Sequence, residues 1–282
     1  MSTLTTHTTA NRATHSVGLC KFNTTRKSIE VSDGTTWLIY DYNSAVAPFV
    51  SSTFAVSYDG TDDYHVLDLD GRSTGGILAT NNTDIELTLS AWIYPQTTST
   101  KSFMSWGDSN IDNSPYMFLQ HNRIYLYGYR NFSTNMTQND WNHVMLTRTA
   151  STNDWKVFLN GNSTPVVTYN DSGNLGGRAS AIKMFFGSGF GGLGVCKIDE
   201  VAFWNSDESG DLANIYGSGT PGSGAPTDLT NLSPYGWWRM GENDSATNGT
   251  AAGTISTSLS GSSSNDMTVG GGSPTYTNQS AP

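Results

Sequence analysis

The chain has 282 residues and a formal net charge of −10, and charged residues make up only 13% of it. An acidic chain without clustered Lys and Arg excludes nucleic-acid binding through a basic patch. No run approaches the ~20 apolar residues of a membrane span, and the first residues have no apolar signal-peptide core, so neither membrane insertion nor signal-directed export is predicted. Cys20 and Cys196 match no zinc or redox spacing, and we expect two lone thiols.

The first 52 residues predict an arm and a small β-meander. Residues 1–16 are Thr-rich with little apolar content, and we expect an extended arm. Residues 17–52 contain three short strand patterns, LCKF, SIEV and TTWLIY, with an Asp33-Gly34 turn before the third, followed by a linker. A meander of this size cannot bury a core alone, so we expect it to dock on a partner.

Residues 53–242 alternate between short strand patterns and turns, which indicates an all-β sandwich or jelly roll. Asp59-Gly60 and Asn160-Gly161 are turn signals, and the second predicts a type I′ turn. Residues 207–219 are the helical candidate, ending at Gly217. Residues 243–282 are rich in Ser, Gly and Thr, and we expect a partly extended tail with DMTVGG as a late strand.

Several blocks in this order resemble the laminin-G-like, concanavalin-A-like jelly-roll family. They are VSYDGTDDYHVLD (56–68), LTLSAWIYP (87–95), FMSWGDS (103–109), WNHVMLTRTASTNDWKVFLNGN (141–162), and KMFFGSG followed by KIDEVAFWN (183–205). The resemblance covers about residues 54 to 241 and implies a jelly-roll β-sandwich. It does not imply one function, because this fold hosts lectins, hydrolase domains and plain spacers.

A second resemblance concerns function. KFNTTRKSIEVSDGTTW and YGWWRMGEND resemble a short module of structural proteins in tailed phages, marine ones especially. The resemblance implies a virion protein assembled in the host cytoplasm and carried on the particle surface. It also implies capsid, tail or fibre proteins as partners, and a homo-oligomer for which we expect a trimer. Attachment to the particle is then expected through Phe22, Ile29, Val31 and Trp37 of the meander.

The adjacent acids of KIDEVAFWN, Asp199 and Glu200, raise the question of catalysis. Laminarinase-type glucanases of this fold carry Glu-x-Asp-x-x-Glu or Glu-x-Asp-x-Glu on one strand. Aligning Asp199 with the central Asp puts Lys197 at the nucleophile position and Val201 or Ala202 at the acid position, so both essential carboxyls are missing. Strand alternation would also send the two acids to opposite faces. We therefore predict no catalytic residues and no enzyme.

Two interpretations of the acid pair stay open. In the first, Asp199 or Glu200 accepts hydrogen bonds from a neighbouring strand or pairs with Arg239, because a buried acid needs a partner. In the second, calcium is the cofactor, since family members hold it near the sandwich rim with oxygen ligands. The candidate ligands are Asp59, Asp62, Asp63 and Asp199.

A row of tyrosines gives a candidate glycan site. In RIYLYGYR, alternation puts Tyr125, Tyr127 and Tyr129 on one face, where rings could stack on sugars. Trp106 lies beside a loop and could reach the same rim. Packing against another subunit and ordinary core packing are the alternatives for the tyrosines.

Three functions compete at this point. The first is a phage virion structural protein that decorates or stabilises the particle, or adheres weakly to host-surface polysaccharide. The second is a free bacterial carbohydrate-binding lectin. The third, a polysaccharide hydrolase, would need acids elsewhere, and those available sit in turns or edges without paired geometry: Asp68, Asp70, Asp84 and Glu86.

Overall fold

The structure, a computed structural model, divides into two compact units, Met1–Phe49 and Val50–Pro282. It describes residues 6–7, 20–23, 28–32, 37–41, 52–68, 86–108, 115–126, 130–171, 182–189, 191–217, 229, 232–242, 244–257 and 266–281. The predicted Asp33-Gly34 turn lies outside these residues, as do most of the predicted arm and Asp70 and Asp84.

The first unit is a four-stranded sheet in the order β1-β2-β3-β4. The strands are β1 (Thr6–His7), β2 (Cys20–Asn23), β3 (Ser28–Ser32) and β4 (Trp37–Asp41). Strands β2, β3 and β4 pair antiparallel and form the predicted meander. Part of the predicted arm joins this sheet, because β1 pairs parallel with β2.

The second unit is an all-β sandwich, as predicted. In chain order its strands are β5 (Ala55–Asp59), β6 (Tyr64–Asp68), β7 (Leu87–Pro95), β8 (Ser102–Asp108), β9 (Pro115–Gln120), β10 (Arg123–Leu126), β11 (Arg130–Ser133), β12 (Asn142–Thr149), β13 (Asp154–Leu159), β14 (Val167–Asn170), β15 (Ile182–Phe186), β16 (Val195–Trp204), β17 (Gly236–Trp238), β18 (Thr268–Gly271) and β19 (Thr275–Thr277). One sheet has the order β11-β10-β9-β8-β15-β6-β18. The other has the order β14-β13-β12-β7-β16-β5-β19, and β17 pairs with β16.

Alternation along the strands builds the core between the two sheets. In β7, Leu87, Leu89, Ala91 and Ile93 are buried in this core, on one face of the strand as predicted. The predicted turns also form. Gly60 has a φ of 76°, and Asn160 and Gly161 have φ values of 52° and 69°, the positive pair that a type I′ turn requires.

A short helical segment follows β16, where the sequence predicts one. It consists of a 3₁₀ turn, Ser209–Asp211, and the helix α1, Leu212–Tyr216. Leu212 and Ile215 are its buried residues, and Gly217, with a φ of 68°, follows its last turn. No helix in the described part of the chain is long and apolar enough to cross a membrane.

The predicted tail over residues 243–282 is instead part of the sandwich. Strand β18 pairs with β6 at the edge of one sheet, and β19 pairs with β5 at the edge of the other. Ile255, Met267 and Tyr276 are buried in the core. β18 lies within DMTVGG, which the sequence predicts as a late strand, and the ring of Tyr64 covers its glycines, so that a Cβ on Gly270 would clash with that ring.

Replacing Tyr276 with Ala tests whether these residues belong to the core. Tyr276 is 5% exposed and packs edge-on against Phe54. We expect Tyr276→Ala to lower the free energy of unfolding by about 3–5 kcal/mol, the usual cost of removing a buried aromatic side chain. Urea unfolding measures it.

The matched control is Val269→Ala on β18, whose side chain is 40% exposed. Its effect should stay within about 0.5 kcal/mol. Equal, small effects of both substitutions would contradict the placement of residues 266–281 in the sandwich.

Candidate functional site

The predicted tyrosine platform is not an accessible surface in the described residues. Tyr125 is 6% exposed and stacks on Phe118, with ring centroids 4.5 Å apart. Trp106 is 2% exposed and lies in the core. Burial corrects the expectation for both residues, because a sugar can stack only on an exposed ring face. Tyr127 and Tyr129 lie outside the described residues.

Three of the four predicted calcium ligands do lie together. Asp59, Asp62 and Asp63 each offer a carboxylate oxygen, and these oxygens are within 4.8 Å of one another. Asp63 is buried and accepts hydrogen bonds from the backbone N–H groups of Asp59 (3.2 Å) and Ser273 (2.6 Å). Asp59 and Asp62 are exposed at the turn between β5 and β6.

Asp199 does not join this group. In the pairing of β16 with β5, the partner of Asp59 is Val195, four residues before Asp199. At about 3.4 Å per strand residue, Asp199 lies roughly 13 Å further along the sheet. The expectation that Asp199 shares a calcium site is therefore corrected by the register of β16.

A β-bulge in β16 leaves both acids of the pair on the outer side of the sheet. The register shifts between Asp199 and Ala202, and Glu200 has a φ of 46°. Ile198 and Val201 are both in the core, so the two residues between them point away from it. The prediction that the acids face opposite ways is wrong because the bulge adds one residue to the alternation.

Glu200 forms the ion pair that the sequence suggested. Its carboxylate accepts hydrogen bonds from Arg239 Nε at 2.9 Å and from Trp237 Nε1 at 2.6 Å. The side chain is fully buried. Burial raises the pKa of Glu200 to about 7, although the Arg239 guanidinium opposes the shift.

Asp199 ties two distant segments of the unit together. Its carboxylate accepts hydrogen bonds from Ser52 Oγ at 2.9 Å, from the backbone N–H of Ala281 at 2.8 Å and from that of Glu200 at 2.8 Å. Burial raises its pKa well above the ordinary value, and the nearby Glu200 and Glu242 carboxylates raise it further. The oxygens of both acids are thus engaged by the protein itself and closed to solvent.

A different surface is open on the same outer face. Register places Lys197 of β16 beside Tyr94 of β7, and Trp141, just before β12, lies beside Tyr94 on its other side. We call Lys197, Tyr94 and Trp141 the aromatic row. The two rings meet edge to face with centroids 5.6 Å apart, and Lys197 Nζ lies 4.7 Å from the Tyr94 centroid. All three side chains are half-buried.

The next row of the sheet is closed. Trp92 and His143 are buried under Tyr216 of α1, which stacks on Trp92 with centroids 5.3 Å apart. Ala281 also packs on Trp92. Burial lowers the pKa of His143 to about 3, so this ring stays neutral, and its Nε2 is 2.8 Å from Ser90 Oγ. On the outer face of β7, Trp92 is therefore the last outward side chain that other residues bury, and Tyr94 is the first that is accessible.

Sequence reasoning missed the aromatic row. The signal was present, since Tyr94 and Lys197 each alternate with core residues of their strands and must therefore face outward. Only the strand order and register, which the sequence does not give, place these two side chains and Trp141 next to one another.

Two solved structures have folds similar to that of this chain. The chain is similar to a candidate carbohydrate-binding protein from Bacteroides ovatus, with a TM-score of 0.50, 17% identity, and coverage of 80% of this chain and 60% of that one. It also matches a heptameric SAP-like pentraxin from Limulus polyphemus, with a TM-score of 0.41, 16% identity, and coverage of 59% and 82%. No protein-family model and no curated protein matches the chain.

The chain thus spans about three fifths of the length of the Bacteroides protein. At 17% identity this likeness concerns the fold, and it agrees with the predicted concanavalin-A-like jelly-roll sandwich.

Replacing Arg239 with Met tests the buried ion pair and its pH dependence. At about pH 8 the variant should lose about 3–5 kcal/mol of unfolding free energy, because Glu200 would be left buried and unpaired. Between the ordinary pKa of 4.5 and a raised folded-state pKa, the folded chain keeps a proton that the unfolded chain has lost, so stability falls as pH rises. The penalty should therefore shrink near pH 5.

Urea midpoints at the two pH values measure this effect. Lys156→Met, on the same sheet, is the control and should show no such pH-dependent penalty. A penalty of Arg239→Met that is unchanged between the two pH values would contradict the assignment of Glu200 as a buried acid with a raised pKa.

Proposed function

We propose that the second unit binds carbohydrate without catalysis, through the aromatic row. The observation that carries this proposal is the half-exposed pair Tyr94 and Trp141, flanked by the ammonium of Lys197. Aromatic faces stack on sugar rings, and adjacent polar groups fix the orientation of the hydroxyls. The name of the Bacteroides ovatus protein, a candidate carbohydrate-binding protein, supports the same class of ligand.

The absence of catalysis is part of this proposal. Retaining or inverting hydrolysis needs two carboxyl groups that reach the scissile bond. The buried pair in β16 is used internally, since Glu200 binds Arg239 and Asp199 binds Ser52. The aromatic row consists of Lys197, Tyr94 and Trp141, whose side chains offer no carboxyl group.

Calcium fits the group formed by Asp59, Asp62 and Asp63. Calcium takes oxygen ligands at about 2.3–2.6 Å, so two ligand oxygens can be up to roughly 5 Å apart. The three carboxylate oxygens, within 4.8 Å of one another, meet this condition. A bound ion would hold the turn between β5 and β6, and we propose this structural role for it.

We further propose that the first unit attaches the chain to a particle, as in a phage virion. The observation that favours this is that Met1–Phe49 form a compact unit of their own. The proposed attachment residues lie on neighbouring strands: Phe22 is the register partner of Ile29, and Val31 and Trp37 lie on β3 and β4. The partners would be capsid, tail or fibre proteins, with the chain as a trimer and the second unit facing host polysaccharide.

Removing the rings of the aromatic row tests carbohydrate binding. Trp141→Ala and Tyr94→Ala should each weaken binding of a glycan selected on an array by about tenfold or more, because each removes a stacking face. Affinity is measured by titration calorimetry, with and without calcium.

Val166→Ala, a change at a 44% exposed side chain, is the control and should bind normally. An array without hits, with and without calcium, would contradict carbohydrate binding. Undiminished affinity in both aromatic variants would place the ligand elsewhere on the protein.

Removing the first unit tests attachment. A chain lacking residues 1–49 keeps the second compact unit intact, so we expect it to fold and bind glycan like the full chain. It should be absent from purified particles of the phage that encodes it, by immunogold labelling. Normal incorporation of this shortened chain would contradict the attachment role.

A further inference from the structure

Lys197 differs from the buried cations of the unit in having no acidic partner. Arg148 pairs with Asp171 at 3.1 Å, and Arg239 pairs with Glu200 at 2.9 Å. The contacts of Lys197 Nζ are the Tyr94 ring and the side-chain oxygen of Gln279, both uncharged. Among the described residues, no carboxylate forms an ion pair with Lys197.

This ammonium is also partly removed from water. Lys197 is half-buried against Tyr94, and burial lowers its pKa. Acidic side chains outnumber basic ones, 24 to 14, in the whole chain, and yet no described carboxylate pairs with this ammonium. A half-desolvated charge gains more from an incoming counter-ion than an exposed one does.

We infer that the aromatic row selects sugars that carry a carboxylate, with the acid group on Lys197 Nζ and a sugar ring against Trp141. This inference rests on the proposed carbohydrate binding and adds its ligand class, the uronic acids and related sugar acids. The row spans two strand spacings, roughly 10 Å, so the charged end and the stacking end can hold different parts of one oligosaccharide.

Gln279 assists in this selection by orienting the ammonium. Its amide oxygen accepts a hydrogen bond from Lys197 Nζ. The ammonium has three donors, so the remaining N–H groups are available to a ligand oxygen. A neutral partner holds the charge at the row without cancelling it, whereas a carboxylate at this position would remove the preference for an acidic ligand.

The test uses oligosaccharides of galacturonic, glucuronic and mannuronic acid, each paired with its methyl ester, which removes only the charge. Titration calorimetry on the full chain should show at least about tenfold tighter binding of a free acid than of its ester. Lys197→Met should abolish this preference by lowering the affinity for the free acid to that for its ester. Lys156→Met, a lysine on the same sheet, should leave the preference unchanged.

Salt provides an independent readout, because added salt weakens an ion pair. The tenfold preference should shrink as salt rises in the unmodified chain, and the ratio of the two affinities should be independent of salt in Lys197→Met.

Equal affinity for acid and ester overturns the inference and leaves carbohydrate binding intact. Failure of all these oligosaccharides to bind also overturns it, and the neutral-glycan array then decides whether carbohydrate binding itself fails.

Discussion

The buried ion pair between Glu200 and Arg239 is the interaction on which the outer face of the eight-stranded sheet, the sheet that contains β16, depends. Glu200 occupies a bulge in β16 at a φ of 46°, a conformation that costs a non-glycine residue about 1–3 kcal/mol. Hydrogen bonds from Arg239 and Trp237 hold its carboxylate and tie β17 to this strand. Without that partner the carboxylate would be a lone charge away from water.

Asp199, next to the bulge, faces the same outer side because it follows the core residue Ile198 in the strand. Its carboxylate receives hydrogen bonds from Ser52 and Ala281, which come from opposite ends of the second unit. Ala281 packs on Trp92, and Tyr216 of α1 stacks on the same ring. Ala281 and Tyr216 cover the row that contains Trp92 but not the next row, which contains Tyr94. The fold thus closes most of this face and leaves the aromatic row accessible.

Much of the fold could be predicted because its signals are local. Alternation in β7, the turn at Asn160-Gly161 and the helical spacing of Leu212 and Ile215 each depend on a few neighbouring residues. The pairing of Glu200 with Arg239 was also foreseeable, since a buried acid needs a partner. The bulge was not, because a positive φ at Glu200 has no signature in its side chain.

Pairing between strands explains the remaining errors. Alternation within β10 predicts an exposed ring for Tyr125, but this ring is buried and stacks on Phe118 of the neighbouring strand. Residues 243–282 are predicted as a tail with one late strand, yet Tyr64, about two hundred positions earlier, covers the glycines of that strand and joins it to the sandwich. Lys197 lies about one hundred positions after Tyr94 in the sequence, and the pairing of β16 with β7 brings the two residues together.

We expect a ligand to bind this protein at the aromatic row and not at its acid pair. The most direct measurement is a ¹H–¹⁵N spectrum of the full chain during titration with an oligosaccharide that carries carboxylates. We expect the indole Nε1–H signal of Trp141 and the backbone signals of Tyr94 and Lys197 to shift, while the indole signal of Trp237 stays in place. Shifts at Trp237 and Glu200 with an unchanged Trp141 would contradict it.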